Sequence, residues 1–472
     1  MKYLFVFILT LVAFVSCNKE VDSCVYAYVG GEIINPNSEF IILEHSNGII
    51  DTLHLNKNNR FLKKIEKLSP GIHTFIHGGE YQVAILEHQD SLMVRLNTLD
   101  FDESIVFSGI GSKKNNYLIK LFLDIEEENN KMIEISRLDP QEFSDALSVQ
   151  VSRRLDYLDQ FASKYNTSSV FNEVAKATIN YNFYANKEMY PFRNYGDNNV
   201  RNYTSLPENF YAYRENVDYN NDELKNFYPY YSFLFSHFNN LALDGYFKNS
   251  IDSIFKRRSL LFNMERIRLM DSLIKHDSIK NVMLKYAVRD FLNYSKNAKE
   301  SKALVASYLE KSTDDSHKKY ISELTNALEN MQVGKELPNI KLVNIKNEIV
   351  NLNDIINKTT VISFWSSAIK SHFKDNHKRI RELKSKYPNI DFISVNINAN
   401  NNNVWKQMLR QYKFPMHNEF KFANAQEAKK DLALNYINKV ILIDKDHVII
   451  HSNANMFNMF FEDSLKAIDT YK

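Results

Sequence analysis

The chain has 472 residues, 44% of them hydrophobic, which suffices for several cores and is too long for one ordinary domain. Its 59 Lys and Arg are interspersed with 57 Asp and Glu, leaving a formal charge of +2 and excluding the clustered basic face of a nucleic-acid binder. The two cysteines, Cys17 and Cys24, both precede the folded body, so beyond Val25 there is no disulfide framework and no cysteine-based metal site.

In chain order, "MKYLFVFILTLVAFVSCNKE" comes first, with a single Lys2, an apolar run from Tyr3 to Val15, and small Ser16 before Cys17. The run is short for a spanning helix and has the layout of a secretory signal. A cysteine directly after it resembles a bacterial lipobox, with Phe14 where leucine is usual. That resemblance implies a signal peptide over 1–16, an acylated Cys17, and a lipidated tether over 17–24. The body is then expected in the cell envelope, anchored to the outer membrane and facing the periplasm or the cell surface. No other stretch is long and apolar enough to span a bilayer.

Residues 25–109 read as seven short strands, from "VYAYVGGEI" to "SLMVRLN", separated by turn signals such as Gly30-Gly31, Pro36-Asn37 and Pro70-Gly71. This spacing predicts a small antiparallel β-sandwich. His73 and His77 share a strand face, but roughly 13 Å separates them at about 3.3 Å per residue, which excludes a common metal.

From 110 to 332 the period becomes helical. "NNYLIKLFLDIEEENNKMIEI", "FSDALSVQVSRRLDYLDQFASKY", "SIDSIFKRRSLLFNMERIRLMDSLIKH", "IKNVMLKYAVRDFLNY" and "KKYISELTNALENM" place apolar residues three and four apart, predicting an all-α segment. The tract 189–235 is too polar and broken for one helix yet dense in Tyr and Phe. Such rings usually pack a long connection onto neighbouring helices; an exposed surface for glycan or peptide is the alternative.

Residues 333–472 alternate strands and helices: strand 360–365, helix 372–386, strand 391–397, helices 403–412 and 425–434, strands 439–443 and 447–451, and helix 457–470. This order predicts a mixed sheet covered by helices on both faces. Phe373, His377, Ile380, Leu383 and Tyr387 form one apolar stripe along the first of these helices. The whole chain is thus a multidomain α+β protein: sandwich, all-α segment, and C-terminal α/β domain.

The last segment resembles the thioredoxin-fold domain of TlpA/ResA-type envelope oxidoreductases. The resemblance rests on "VGKELPNIKLVN" (334–344), "VISFW" (361–365), "DFISVNI", Trp405 and "VILIDKDHVII" (440–450). The front of the chain resembles the N-terminal β-domain that such lipoproteins carry in Bacteroidota, above all in "LNTLDFDESIVFSGIGSKKNNYL" (96–118). The family reads Phe-Trp-Ala-Ser-Trp-Cys-x-x-Cys at its active turn. Trp365 falls on the first Trp, Ser366 and Ser367 on the small pair, Ala368 on the second Trp, Ile369 on the nucleophilic Cys, and His372 on the resolving Cys. The family's cis-proline falls on Asn438, where a cis bond would cost about 2.5–4 kcal/mol, so a trans peptide is expected. Disulfide exchange needs a thiolate, and this site has none.

His372, at the first turn of a helix, is expected to be partly exposed and able to titrate near neutrality. His377 lies on the buried stripe as a hydrogen-bonded core residue. "SAIK" (Ser367 to Lys370) matches a Ser-x-x-Lys spacing, but the other motifs of that chemistry are absent. His447 and His451 fail the distance test that excludes His73 and His77. No cofactor or metal is expected. Three readings follow: a redox-inactive module binding a protein or peptide partner in the envelope; a thiol-disulfide oxidoreductase, as the resemblance at large implies; or an envelope receptor using the aromatic helical segment.

Overall fold

The computed structural model describes residues 25–45, 47–251, 254–295, 297–367, 369–398 and 404–469. The signal segment and Cys17 lie outside them. The chain divides into two compact units, one holding residues up to Glu128 with Gln160–Ala175, the other Asn129–Asp159 with everything from Lys176 onward.

Eight strands build the first unit: β1 (Ala27–Ile34), β2 (Phe40–Glu44), β3 (Ile50–His54), β4 (Arg60–Ile65), β5 (Gly71–His77), β6 (Glu80–Leu86), β7 (Ser91–Asn97) and β8 (Val106–Ile110). They form two four-stranded sheets, ordered β4-β1-β7-β8 and β3-β2-β5-β6. Alternate residues point inward, so Ala27, Val29 and Ile33 of β1 share one core with Leu43, Phe75 and Leu86 of the other sheet. One pairing departs from the antiparallel expectation: β1 runs parallel to β7. The eighth strand lies in the stretch 96–118, where sequence alone marks only the change from strand to helix.

That stretch also shields two sheet edges. Helix α1 (Ser112–Ile135) opens with Asn115 and Asn116. Asn115 accepts from Ile85 N at 2.7 Å and donates to Ile85 O at 2.9 Å, on edge strand β6. Asn116 does the same for Phe107 of edge strand β8, at 2.8 Å in both directions. Each side-chain amide stands in for a neighbouring peptide group and blunts an edge that would otherwise template pairing. Asn115 is 1% exposed. Asn115→Ala is therefore expected to strand a buried N–H and C=O and to lower the stability of the first unit by about 2–4 kcal/mol, read from urea unfolding.

The helices after α1 are α2 (Pro140–Tyr165), α3 (Ser169–Asn194), the short α4 (Gly196–Asn199), α5 (Tyr228–Asn249), α6 (Leu260–Leu273), α7 (Asp277–Tyr294), α8 (Ala298–Lys311) and α9 (Asp315–Asn330). The connection 200–224 carries three 3-10 turns. Four helices go beyond the five read from sequence: α3, the short α4, α5 and α8. One is shorter: the predicted helix over 250–276 starts only at Leu260, because Ser259 caps it by accepting from Phe262 N. The aromatic tract turns inward, with Tyr190, Phe210, Tyr230 and Phe233 each at most 2% exposed.

The C-terminal domain has a seven-stranded sheet ordered β10-β9-β13-β12-β11-β14-β15. Its strands are β9 (Lys341–Val343), β10 (Ile349–Asn351), β11 (Thr360–Trp365), β12 (Asp391–Asn396), β13 (Glu419–Phe422), β14 (Val440–Ile443) and β15 (Ile449–Ala454). Helices α10 (Lys370–Lys386), α11 (Val404–Gln411), α12 (Ala425–Asp431) and α13 (Phe461–Asp469) accompany them. All six residues of β11 are buried. Ile362 and Phe364 enter one core and Val361 another, which is why the strand reads as a continuous apolar run. The domain is thioredoxin-like, with β11 at its centre between parallel β12 and antiparallel β14. Helix α13 begins at Phe461, four residues later than expected, because Asn455 and Asn458 take the N–H groups of Phe457 and Phe460 and hold 455–460 as a loop.

Candidate functional site

Strand β11 delivers the chain to the site at Trp365, which is fully buried among Phe373, Trp405, Met408 and Leu409. The turn that follows is tied to the loop after β12: Asn398 Oδ1 accepts from Ser367 N at 2.8 Å, Ser367 Oγ at 2.9 Å and Ser366 Oγ at 3.2 Å. Ile369 is the N-cap of α10, makes no side-chain cap, and is 40% exposed. Asn376, on the inner face of α10, donates to Phe364 O at 3.1 Å and locks helix to strand. The sequence gives no hint of that buried asparagine beyond its place beside the apolar stripe.

The structure brings His372 and Asn438 together, the two positions that the resemblance placed on the resolving cysteine and the proline. No peptide bond among the described residues is cis. His372 is half-buried, and burial pushes its pKa below the ordinary value, opposed by the neighbouring Asn438 side chain. The approach falls short of bonding geometry, and both ring nitrogens of His372 and Oδ1 of Asn438 are buried without a hydrogen-bond partner. The ring of Phe457 stands edge-on to His372 with centroids 6.2 Å apart. Phe457 belongs to the loop 455–460, whose Phe457, Met459 and Phe460 are 42%, 81% and 66% exposed.

Beneath the turn, His377 is the core residue that the stripe predicts. Its Nδ1 lies 2.8 Å from Phe373 O and its Nε2 3.1 Å from Glu419 Oε1. Burial raises the Glu419 carboxyl, against the pull of His377, Ser394 and Trp365. Lys439, next to Asn438, is 1% exposed and donates to Leu432 O at 2.8 Å and Ala433 O at 3.0 Å. Burial pushes its ammonium down to about 7.

The helical segment holds a second polar cluster that sequence reasoning missed. Glu188 of α3 is wholly buried, and its Oε1 faces Tyr213 Oη at 2.8 Å, Arg214 Nε at 2.9 Å and His237 Nδ1 at 2.6 Å, while Oε2 accepts from Arg214 Nη2. His237 Nε2 meets Tyr219 Oη at 2.8 Å. Burial would raise Glu188, but His237 and Arg214 outweigh it and hold the carboxyl low.

The remaining candidates are structural in placement. His73 is fully buried, with Nδ1 at 3.0 Å from Gly71 O, and His77 is bonded to Phe40 O and Asn37 N. His447 occupies a turn and His451 lies on β15. Among the described residues no three His, Cys, Asp or Glu side chains could share a metal, and no helix is long and apolar enough to cross a membrane. Nothing at 369 can ionise, Ser366 and Ser367 are held by Asn398, and the site offers apolar contact and polar groups awaiting partners.

A model of the Redoxin family matches residues 332–464. Among solved structures, the thioredoxin domain of a thiol-disulfide oxidoreductase from Bacteroides vulgatus is similar at 17% identity over 29% of this chain and 96% of its own, with a TM-score of 0.25. A thiol-disulfide oxidoreductase from Bacteroides fragilis is similar at 16% identity over 28% of this chain and 99% of its own, TM-score 0.25. A thiol:disulfide interchange protein from Bacteroides sp. is similar at 17% identity over 29% and 89%, TM-score 0.24. No curated protein matches the chain.

Proposed function

We propose that this protein is a membrane-tethered module of the cell envelope, anchored through acylated Cys17, whose thioredoxin-like domain docks an extended polypeptide without thiol exchange. The observation that carries the reading is the remodelled turn. Exposed Ile369 lies three residues before His372 and Phe457 stands against its ring, in a loop that also exposes Met459 and Phe460, while polar atoms of His372 and Asn438 remain unpartnered. Isoleucine is among the poorest N-cap residues, about 1 kcal/mol worse than Ser or Asp. Neither burial nor capping accounts for it at 369, whereas contact with an apolar ligand does. A peptide backbone supplies both missing partners: its N–H donates to Asn438 Oδ1, and its carbonyl accepts from the neutral His372 ring.

The test uses fluorescein-labelled, thiol-blocked insulin B chain as an extended apolar probe, read by anisotropy. Binding is expected at pH 7.5 and about tenfold weaker in Ile369→Asp, on the basis of roughly 1.4 kcal/mol of lost apolar contact. Aspartate at an N-cap stabilises the helix, so the loss cannot come from unfolding. A covering peptide buries His372 further and lowers its pKa again, so affinity is expected to fall as pH drops through the already depressed value. No binding above background defeats the reading. The names of the solved neighbours favour the alternative, thiol-disulfide exchange; accelerated insulin reduction by the wild-type chain would establish it instead.

A further inference from the structure

The loop that ends at Asn438 is held from outside the thioredoxin-like domain. Asn293, next to last in α7, accepts through Oδ1 from Asn435 Nδ2 at 2.5 Å. Its backbone carbonyl accepts from Asn453 Nδ2, and Asn453 Oδ1 accepts from Tyr436 Oη. One residue of α7 therefore grips the loop and the edge strand β15 together. The loop is also fixed within the domain: Leu434 N donates to Lys429 O at 2.7 Å, Ile437 packs on the core, and Lys439 anchors two carbonyls from below. Asn438 is the residue of this stretch whose side-chain oxygen remains unpartnered, and it is the one beside His372.

We infer that Asn293 is a positioning residue, and that α7 acts as a strut setting Asn438 against His372, so that docking of the helical layer and occupancy of the groove are coupled. The inference rests on the docking role proposed for that groove. Coupling of this kind is reciprocal: whatever the strut contributes to ligand affinity, a bound ligand returns to the seating of the strut. The helical segment is then part of the ligand-responsive machinery rather than a spacer. A partner in the groove would be sensed at α7, about 145 residues away in sequence (438 minus 293).

Asn293→Ala in the full chain removes the side-chain acceptor and leaves the backbone carbonyl in place. Two readouts are taken: the NMR titration of the His372 ring, which needs no ligand, and affinity for the thiol-blocked insulin B chain. The expected result is a His372 pKa that moves further down as the Asn438 side chain opposing its depression withdraws, with affinity at least fivefold lower. Asp375 and His377 also act on His372 electrostatically, but neither changes in the variant. Asn435→Ala removes the same bond from the other side and should reproduce both effects, and the double variant should add nothing. Circular dichroism guards against a fold that has simply opened. An unmoved titration in both folded variants overturns the coupling, whatever the probe does. A moved titration in a protein that never binds the probe upholds the strut and defeats the docking role instead.

Discussion

Glu188→Leu is expected to lower the stability of the helical segment by about 3–5 kcal/mol, the usual cost of removing one partner from a buried ion pair. The substitution leaves Arg214, 23% exposed at its side chain, without its carboxylate, orphans Nδ1 of His237, and leaves the Tyr213 hydroxyl only its longer bond to Tyr184 O at 3.4 Å. Tyr213 and Arg214 both come from the irregular connection, while Glu188 and His237 stand on α3 and α5. The carboxylate is thus the rivet that fastens a chain of 3-10 turns onto two helices. Glu188→Gln keeps the shape and one acceptor but loses the charge, so it should cost roughly half as much. Because the second unit holds two folded parts, a single unfolding curve is the wrong measure. Limited proteolysis within 200–227 reads the effect locally, and accelerated cleavage there with an unchanged thioredoxin-like domain is the expected pattern. The pH dependence has the same origin. The folded carboxyl is held below its unfolded value, so its contribution is complete above the unfolded pKa and disappears as pH falls through the folded one. Cleavage as slow as wild type in the leucine variant would show that aromatic packing alone seats the connection.

How much of this was legible in the sequence follows from the range of the forces involved. Strand β11 announces itself because burial on both faces demands an unbroken apolar run over neighbouring residues. The stripe on α10 is visible for the same local reason, and with it the core role of His377. Glu188 is invisible because its partners lie 25, 26 and 49 residues away, and a single Glu in "ANKEMY" carries no mark of its burial. His372 was placed correctly at a helix start, yet its environment is made by Asn438 and Phe457, which only the folded sheet brings near. Strand β13 was missed because "EFKF" is four residues long and charged at alternate positions. Asn115 and Asn116 read as ordinary polar residues at the start of a helix. Their reach to two sheet edges is made only once the fold sets β6 and β8 beside α1.

The double substitution Ile369→Cys with His372→Cys is expected to give a turn that carries no cysteine an internal disulfide and the ability to speed insulin reduction. Residue 369 is the N-cap of α10 and 372 its third helical residue, a spacing at which side chains meet across the first turn. The first N–H groups of a helix lack intrahelical partners and the dipole is positive there, so a thiol at 369 should ionise near neutrality. The measurement is made with Cys17→Ser and Cys24→Ser in the same chain, so that any oxidised pair counted belongs to the new site. Asn438→Pro added to the double variant should raise the rate further, because it removes the amide that now sits beside position 372. Each single-cysteine variant should remain inactive, since exchange needs both an attacking and a resolving sulfur. A disulfide that forms without turnover would place the block in the loop 455–460 rather than in the missing sulfurs. Phe457, Met459 and Phe460 would then have reshaped the groove for a ligand that a redox enzyme must release and a docking module must hold. Turnover in the double variant would point the other way: the scaffold would still present a redox turn, and two side chains alone would separate this turn from a redox-active one.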